Sequence, residues 1–240
     1  MQTRNPQAFW LENLKQADRY NNWIFQQIEP YLGENVLEVG CGNGNFTVFL
    51  AEKCDRSAPD KTVRLVAVDI DSQFVTLCKE RLQAYPQATA IEADITTTEL
   101  ASQFDTIVLL DVLEHIENDA TMLQKLFSLL EPGGNLIIKV PALNSIYGEM
   151  DRAIGHYRRY SQQSLIHAFE KASISELKSW YFNIAGIPGW WFNSKVLRRT
   201  TPPENQVGLF NRVVPILSVM EELITVPVGL SLFAIARKPN

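Results

Sequence analysis

An apolar run that breaks into a glycine-rich turn is the feature that most constrains how this chain can fold. The stretch VLEVGCGNGNF, residues 36–46, places three glycines at alternate positions directly after a pattern typical of a buried strand. Glycine has no β-carbon, so the backbone of such a turn can adopt positive φ and approach a ligand closely. Dinucleotides, nucleoside sulfoniums and phosphates all bind beside turns of this kind, and the rest of the chain must decide among them.

The spacing of the glycines argues against two of these ligands. The dinucleotide fingerprint has glycine at its first, third and sixth positions. Counted from Gly40 the sixth position is Asn45, and counted from Gly42 it is Thr47, so neither register fits. No Gly-Lys-Ser/Thr follows the turn, so a phosphate-cradling P-loop is also unsupported.

Strand and helix patterns alternate along the chain with short connections. Strand patterns cover residues 36–39, 63–68, 89–92, 104–111, 135–141, 176–182 and 230–237. The first five are apolar on both faces, as in a parallel sheet that helices cover on each side. The predicted fold class is therefore α/β, a Rossmann-like sheet of seven strands with helices on both faces.

Helical periodicity fills the intervals between these strands. It covers residues 6–30, 46–53, 72–84, 120–130, 162–172 and 210–224. Ser72 and Ser161 are candidate N-caps, and Asp71 is expected to cap the helix after it rather than to contact a ligand. The sequence EPGG, residues 131–134, predicts a turn that ends the helix before the fifth strand.

We expect one domain, because 240 residues with 46% hydrophobic content are enough for one sizeable core. Residues 1–33 are predicted to form an N-terminal helical segment, and 34–141 a ligand-binding core. Residues 142–240 are predicted to supply a lid, a substrate-side region and the last two strands. An aromatic-rich insertion, residues 186–228, separates those two strands.

Charge and composition exclude several classes of function. The net charge of −5 and the sequence pI near 5.3 argue against a nucleic-acid partner. The polar N-terminus predicts no signal peptide, and the interrupted apolar stretches predict no transmembrane segment. The three cysteines lack metal-ligand spacing and form an odd number, so a reducing, cytoplasmic setting is expected.

Acidic residues follow the predicted strands at the points where ligands of such sheets bind. Asp69, Asp94 and Asp111 each stand at or just after the end of a strand, and Glu38 closes the first strand pattern. Because the carboxyl ends of parallel strands share one edge of the sheet, we expect these carboxylates around one crevice.

Five ordered segments resemble the class I S-adenosylmethionine-dependent methyltransferases. They are LEVGCGNG, VAVDID, IEADI, FDTIVLLDVLEHI and LEPGGNLIIKVP, within roughly the first 140 residues. The resemblance implies a Rossmann-like class I methyltransferase sheet, S-adenosyl-L-methionine as cofactor and S-adenosyl-L-homocysteine as product.

The resemblance also implies roles for individual residues. Asp69 would accept hydrogen bonds from both ribose hydroxyls, and Asp94 from the adenine amino group. Ile70 and Ile95 would enclose the adenine ring. The residues implied at the methionyl end are Tyr20, Glu38, Gly40, Cys41, Gly42, Gly44, Asp111 and Val112. For Glu38, a purely structural role is the alternative.

Methyl transfer places few demands on the protein, because the sulfonium carries its own leaving group. The protein must align the acceptor and exclude water, and a base is needed only where the acceptor loses a proton. His115 follows the fourth strand and is a catalytic candidate. Asp111, Glu114 and His115 also resemble a divalent-ion segment of some quinone-precursor O-methyltransferases; a metal-free site is favoured over a metal there.

The segment DRAIGHYRRYS, residues 151–161, is a second source of acceptor chemistry. His156 is a candidate base, and Tyr157 a candidate for orienting an acceptor hydroxyl. Arg158 and Arg159 are predicted to bind a carboxylate or phosphate of the substrate. The alternative is a solvated lid that salt bridges to Asp151 or Glu149 hold in place.

The insertion suggests the kind of acceptor. Trp190 and Trp191 follow Pro-Gly and cannot easily both face inward, so one of them is expected to line a substrate pocket. We expect a small-molecule acceptor, an oxygen of an apolar, ring-containing or lipid-like metabolite. A nitrogen acceptor, in a small molecule or protein, and a non-catalytic cofactor-binding module are the alternatives. Lys195, Arg198 and Arg199 would allow peripheral contact with an anionic membrane.

Overall fold

A single sheet organises the part of the chain that the structure describes. The computed structural model describes residues 17–57, 64–100, 103–224 and 226–240. The strands are β1 (Asn35–Val39), β2 (Arg64–Asp69), β3 (Ala88–Glu92), β4 (Phe104–Leu110), β5 (Leu130–Pro141), β6 (Leu177–Phe182) and β7 (Ser231–Arg237). Their order in the sheet is β3-β2-β1-β4-β5-β7-β6.

Helices occupy most connections between these strands. They are α1 (Asp18–Ile28), α2 (Thr47–Ser57), α3 (Ser72–Arg81), α4 (Asp119–Ser128), α5 (Glu149–Ala153), α6 (Gln162–Lys171), α7 (Gly186–Trp191) and α8 (Glu204–Leu223). A π-helical turn, Phe192–Val196, continues α7. Within the described ranges, no helix has the length and apolar character needed to cross a membrane.

The strand order creates a crevice beside the first strand. The five strands β3, β2, β1, β4 and β5 run parallel, and β7 is antiparallel to both β5 and β6. The chain moves outward from β1 to β3 and then returns to the other side of β1 as β4. Ligands of open α/β sheets bind at such a reversal, outside the carboxyl ends of the strands.

Alternate residues of the central strands pack in two layers, one on each face of the sheet. Leu37 and Val39 join a cluster that includes side chains of α4 and α6. Val36 joins a second cluster with side chains of α1, α2, α3 and α8. The predicted Rossmann-like class I fold, with helices on both faces and the aromatic-rich insertion before the last strand, is therefore confirmed.

Two local predictions differ from the structure, and a third lies partly outside the described residues. The predicted cap of α3 by Asp71 is confirmed, since its Oδ1 accepts from the backbone N–H groups of Gln73 and Phe74, whereas Ser72, the other cap candidate, is the first helical residue. Residues 131–134 are not a separate turn but a bulge within β5, because the pairing register with β4 jumps from Leu130 to Asn135. The helix predicted over residues 6–30 lies partly outside the described residues, which begin at Ala17.

Two points along α8 fix the insertion between β6 and β7. The Glu221 carboxylate accepts from the backbone N–H groups of Asn183 and Ile184, at 2.9 and 2.6 Å, just after β6. In the first half of α8, the Asn211 side chain accepts from the N–H of Tyr20 on α1 at 3.1 Å. These contacts hold α8 beside α1, so its opposite face has no partner among the described residues.

Candidate active site

The glycine turn is held at the end of β2 by a carboxylate. Asp69 Oδ2 accepts from the Gly42 N–H at 2.8 Å, and Oδ1 accepts from the Asp71 N–H at 3.0 Å. The N–H of Gly40 donates to the Val68 carbonyl at 2.8 Å. A carboxylate offers about four acceptor positions, so Asp69 retains capacity for a ligand while it shapes the turn.

At two positions of the turn only glycine fits. Gly40 has φ +77°, and a β-carbon there would stand 2.3 Å from Val112 Cγ2 on the segment after β4. Gly44 has φ +80°, and a β-carbon there would stand 3.0 Å from the Cys78 backbone of α3. The turn is therefore pressed between the segment after β4 and a helix, which leaves its backbone at the crevice.

Glu38 is a buried carboxyl at the start of the turn. Thr47 bonds its side chain, and the Oε2 atom has no hydrogen-bond partner among the described residues. Burial raises the pKa of Glu38 to about 8. A buried acceptor without a partner is uncommon, and it marks a position where a ligand or water donor fits.

The residues predicted around adenine lie in unequal surroundings. Asp94 Oδ1 accepts from the N–H and hydroxyl of Thr96 at 2.8 and 2.6 Å, and these bonds lower its pKa. Ile70 is 69% exposed after β2, whereas Ile95 is 6% exposed and packs in the core. Ile70 is thus available to a ligand directly, and Ile95 is part of the wall behind Asp94.

An ion pair with one buried partner, Lys139, and one exposed partner, Asp111, lies where β4 ends. Asp111 adopts φ +56°, and its carboxylate pairs with Lys139 of β5, whose side chain is buried. Burial lowers the pKa of Lys139, but the charge and hydrogen bond of Asp111, together with Tyr20 and Glu114, outweigh it, so the net pKa is raised. Tyr20 lies beside this pair: burial raises the pKa of its hydroxyl, and Lys139 and Asp111 act on it with opposite signs.

The segment after β5 forms a buried network of charged side chains. Asp151 of α5 is fully buried; its Oδ1 accepts from Arg159 Nε at 2.7 Å and lies 3.1 Å from His156 Nδ1. Its Oδ2 accepts from the Gly148 N–H at 2.9 Å. Burial raises the pKa of Asp151, but the bonds from His156 and Arg159 outweigh it and the net pKa is lowered.

This network faces the segment that follows β4. His156 Nε2 lies 3.5 Å from Glu114 Oε1, and the rings of His115 and His156 are 4.7 Å apart, edge to face. Burial raises the pKa of Glu114 well above its usual range and lowers the pKa of His115 to about 4. The structure therefore brings together the two histidines that the sequence predicted as catalytic.

The predicted basic patch is divided between two environments. Arg159 is buried and bonds Asp151 and the Ala142 carbonyl, whereas Arg158 bonds Asp119 at 2.9 Å near the surface. Tyr157 is exposed, and its N–H donates to the Glu114 carbonyl at 2.9 Å. The two arginines do not form one anion-binding fork, since each is engaged by its own carboxylate.

The two tryptophans of the insertion also separate. Trp190 is half-buried, and the Arg159 guanidinium lies 4.4 Å from its ring centroid. Trp191 is exposed. Ser194 Oγ accepts from the Met150 N–H at 3.3 Å, which ties the insertion to α5 beside the buried network.

Two side chains of this site received no role from the sequence. Lys139 reads as one polar residue in an apolar strand, and its ion pair depends on the pairing of β4 with β5. Asp151 was considered only as a salt-bridge partner of the lid, because its burial and its bond to His156 appear only in the folded chain.

One group of side chains offers metal ligands. Within the described ranges, Glu114, His115 and His156 place three ligand atoms within 4.8 Å of one another. Asp111, which the sequence grouped with Glu114 and His115, is instead paired with Lys139.

Sequence comparison finds a family match over part of the chain. Residues 37–136 match a family model described as "Methyltransferase domain". An uncharacterised methyltransferase of Mycobacterium tuberculosis is 38% identical over 123 residues, which are 51% of this chain and 58% of that protein. Phosphoethanolamine N-methyltransferase 1 of Triticum aestivum is 33% identical over 110 residues, which are 44% of this chain and 20% of that protein. The matched region therefore spans between a fifth and somewhat over half of these relatives.

Structural comparison extends the likeness to nearly the whole chain. The structure of a SAM-dependent methyltransferase from Archaeoglobus fulgidus superimposes with a TM-score of 0.62 at 16% identity, over 96% of this chain and 99% of that one. Residues 37–136 therefore match a methyltransferase domain by sequence. The chain as a whole has the fold of this S-adenosylmethionine-dependent structural neighbour.

Proposed function

We propose that this chain transfers a methyl group from S-adenosylmethionine to a small-molecule acceptor, at an oxygen of an apolar, ring-containing or lipid-like metabolite. One observation carries the proposal: a glycine turn held by Asp69 opens at the sheet reversal, next to a buried cluster of histidines and carboxyls. The cofactor supplies the methyl group and its own leaving group. The chain must bind it, orient the acceptor and exclude water.

The residues around the crevice suit the parts of that cofactor. Asp69 keeps acceptor positions for the ribose hydroxyls, and Asp94 stands further along the same edge for adenine. The buried Glu38 Oε2, which lacks a partner, suits a donor at the methionyl end. Backbone of the glycine turn, with Cys41 and Gly44, would line the same end.

The charges after β4 suit an amino-acid tail. Asp111 offers a carboxylate to an ammonium group, and Tyr20 and Lys139 stand beside it as donors. Val112 covers Gly40 and would border the sulfonium.

The acceptor side is proposed to lie between the segment after β4 and the segment after β5. His115 and His156 would contact the acceptor oxygen, and the exposed Tyr157 would orient it. Trp190, which stacks on Arg159, would form the apolar wall. Because the wheat relative is named an N-methyltransferase, a nitrogen acceptor is the first alternative. A non-catalytic cofactor-binding module is the second alternative.

Calorimetry with the full chain tests cofactor binding. Asp69→Ala should weaken S-adenosylhomocysteine binding at least tenfold, because hydrogen bonds to a charged group contribute about 1.5–3 kcal/mol each. Glu80→Ala, an exposed carboxylate on α3, is the matched control and should bind like the parent chain. Equal affinity for all three proteins would refute the role of Asp69. Binding of NAD instead of S-adenosylhomocysteine would refute the function.

We also propose that the insertion contacts an anionic lipid surface. Five exposed apolar residues follow one face of α8 at spacings of three and four: Leu209, Val213, Ile216, Met220 and Leu223. Exposed aromatic and apolar side chains continue on the segment after α7. That segment also exposes Lys195, Arg198 and Arg199, a basic cluster on a chain of net charge −5. Apolar burial with attraction to anionic headgroups is the usual basis of peripheral binding.

Cosedimentation with vesicles tests this surface. The chain should bind vesicles that contain phosphatidylglycerol more strongly than pure phosphatidylcholine, and Ile216→Glu or Arg198→Glu should reduce that binding. Lys171→Glu, an exposed cation on α6, is the charge-matched control and should not. Light scattering that shows a dimer lost in Ile216→Glu, without vesicle binding, would instead assign the face to a second copy of the chain.

A further inference from the structure

The side chains of Glu114, His115 and His156 converge from two distant segments. Glu114 and His115 lie in the 3-10 turn after β4, and His156 lies beyond α5. Glu114 and His156 are buried and His115 is half-buried, and one ligand atom from each lies within 4.8 Å of the others. Metal–nitrogen bonds of about 2.1 Å place two ligands of one ion at most about 4.2 Å apart, so side-chain shifts under an ångström would bring the three together.

The surroundings of the Glu114 side chain indicate a bound ligand. Its side chain is fully buried, and neither carboxyl oxygen has a hydrogen-bond partner among the described residues. The nearest polar group is His156 Nε2 at 3.5 Å, beyond normal hydrogen-bond length. Buried acceptors are almost always satisfied, and burial of an unsatisfied carboxyl carries a large free-energy cost. A cation between Glu114 and the histidines would satisfy it.

Each histidine bonds an acceptor other than Glu114. His156 Nδ1 lies 3.1 Å from Asp151, which Arg159 and the Gly148 N–H bond in turn. The His115 ring hydrogen-bonds the backbone of Gly155. Metal-binding histidines commonly donate their second ring nitrogen to a carboxylate or carbonyl, which fixes the tautomer and the ring orientation. The remaining nitrogen of each ring is then free to bind an ion.

We propose that Glu114, His115 and His156 bind one divalent transition-metal ion through two imidazole nitrogens and one carboxylate. This ligand set suits zinc, manganese or iron and leaves coordination positions open. It differs from the set grouped by sequence, because Asp111 is engaged by Lys139 and His156 takes its place. Where the proposed function holds, an open position of the ion faces the acceptor oxygen; metal binding itself does not depend on that function.

Titration with metal alone tests the proposal. The full chain, freed of metal by a chelator, should bind Zn²⁺ and Co²⁺ with one-to-one stoichiometry in calorimetry. Bound Co²⁺ should give visible ligand-field bands. His156→Ala and Glu114→Gln should each weaken binding more than a hundredfold. Asp151→Asn, which alters the group behind His156 without touching a proposed ligand, should weaken it by about 10–100-fold. His167→Ala, an exposed histidine on α6, is the matched control and should bind like the parent chain.

The outcomes separate the metal site from the proposed function. Affinity no tighter than about 1 mM in the parent chain, or bands unchanged in His156→Ala, would overturn the site. Circular dichroism and S-adenosylhomocysteine binding report whether each variant folds. If the variants do not fold, the parent chain alone decides, because Co²⁺ without ligand-field bands of nitrogen coordination overturns the proposal. Retained metal binding without cofactor binding would reject the proposed function and leave the metal site standing.

Discussion

Different kinds of interaction hold the two sides of the crevice together. On the cofactor side, Asp69 shapes the glycine turn through backbone N–H groups, and the contacts join strand ends that are neighbours in the sheet. On the side proposed for the acceptor, Asp151, His156 and Arg159 are buried polar and charged side chains that bond one another and face Glu114. The first arrangement depends on backbone shape. The second depends on mutual compensation of buried polar and charged groups, so loss of one member leaves the others without a partner in a low-dielectric environment.

The largest expected effect is on the acceptor side. Asp151→Ala removes the carboxylate that pairs with the buried Arg159 and bonds His156, and breaking a buried pair in this way typically costs about 3–5 kcal/mol of unfolding free energy. Urea denaturation measures it. Glu149→Ala, which removes an exposed ion pair with Arg152, is the control and should cost about 1 kcal/mol or less. Similar values for the two variants would contradict the contrast between the sides.

The next effect is on the glycine turn. Gly40→Ala places a β-carbon 2.3 Å from Val112 at a positive φ, so we expect a loss of about 2–4 kcal/mol of stability, together with weaker S-adenosylhomocysteine binding. The double variant Gly40→Ala, Val112→Ala removes the clash but keeps the φ strain, so part of the stability should return. If the stability losses of the two single substitutions simply add in the double variant, the side chain of Val112 is not the group that would clash with a β-carbon at residue 40.

The pH dependence of stability tests Glu38. Burial raises its folded pKa to about 8 from its ordinary value of 4.5, so between these pH values the folded state holds a proton that the unfolded state has lost. Stability from this group is therefore fully present below about pH 4.5 and declines as pH rises to about 8, by at most about 1.4 kcal/mol per pH unit. Glu38→Gln should flatten that decline in denaturation curves across this range. An unchanged slope would contradict the pKa assignment.

The smallest effect distinguishes two neighbouring residues before α3. Asp71→Ala removes the N-cap and should cost about 1 kcal/mol, whereas Ser72→Ala should change stability by a few tenths. Thermal denaturation of both variants measures the difference. A larger loss of stability in Ser72→Ala than in Asp71→Ala would identify Ser72, the other candidate from the sequence, as the N-cap.

The glycine turn and the acidic residues at the sheet edge were largely predictable from the sequence because their determinants are local. Apolar runs marked the strands, and carboxylates at their ends marked the edge where parallel strands present ligands. The alternate glycines excluded a dinucleotide turn. The predictions that were wrong involve ambiguous local patterns. Two candidate N-caps, Asp71 and Ser72, are adjacent in the sequence, and the EPGG pattern is typical of a turn although it forms a bulge within β5.

The acceptor side was predictable only as a set of residue types. The segment around His156 showed histidine, arginine and aromatic residues, but not which arginine is buried. The separation of Arg158 from Arg159 follows from packing against Asp119 on one side and Asp151 on the other. The exposed face of α8 was equally hidden, because an apolar stripe at helical spacing ordinarily indicates core.

The sequence by itself determined the strand pattern, the glycine turn and the acidic residues at the sheet edge, since these depend on periodicity and on backbone freedom. Only the tertiary structure decided that Asp111 pairs with Lys139, that Asp151 holds His156, and that Glu114 meets two histidines. Those contacts join segments far apart in the chain. Their energies come from burial and charge at positions that no local pattern encodes.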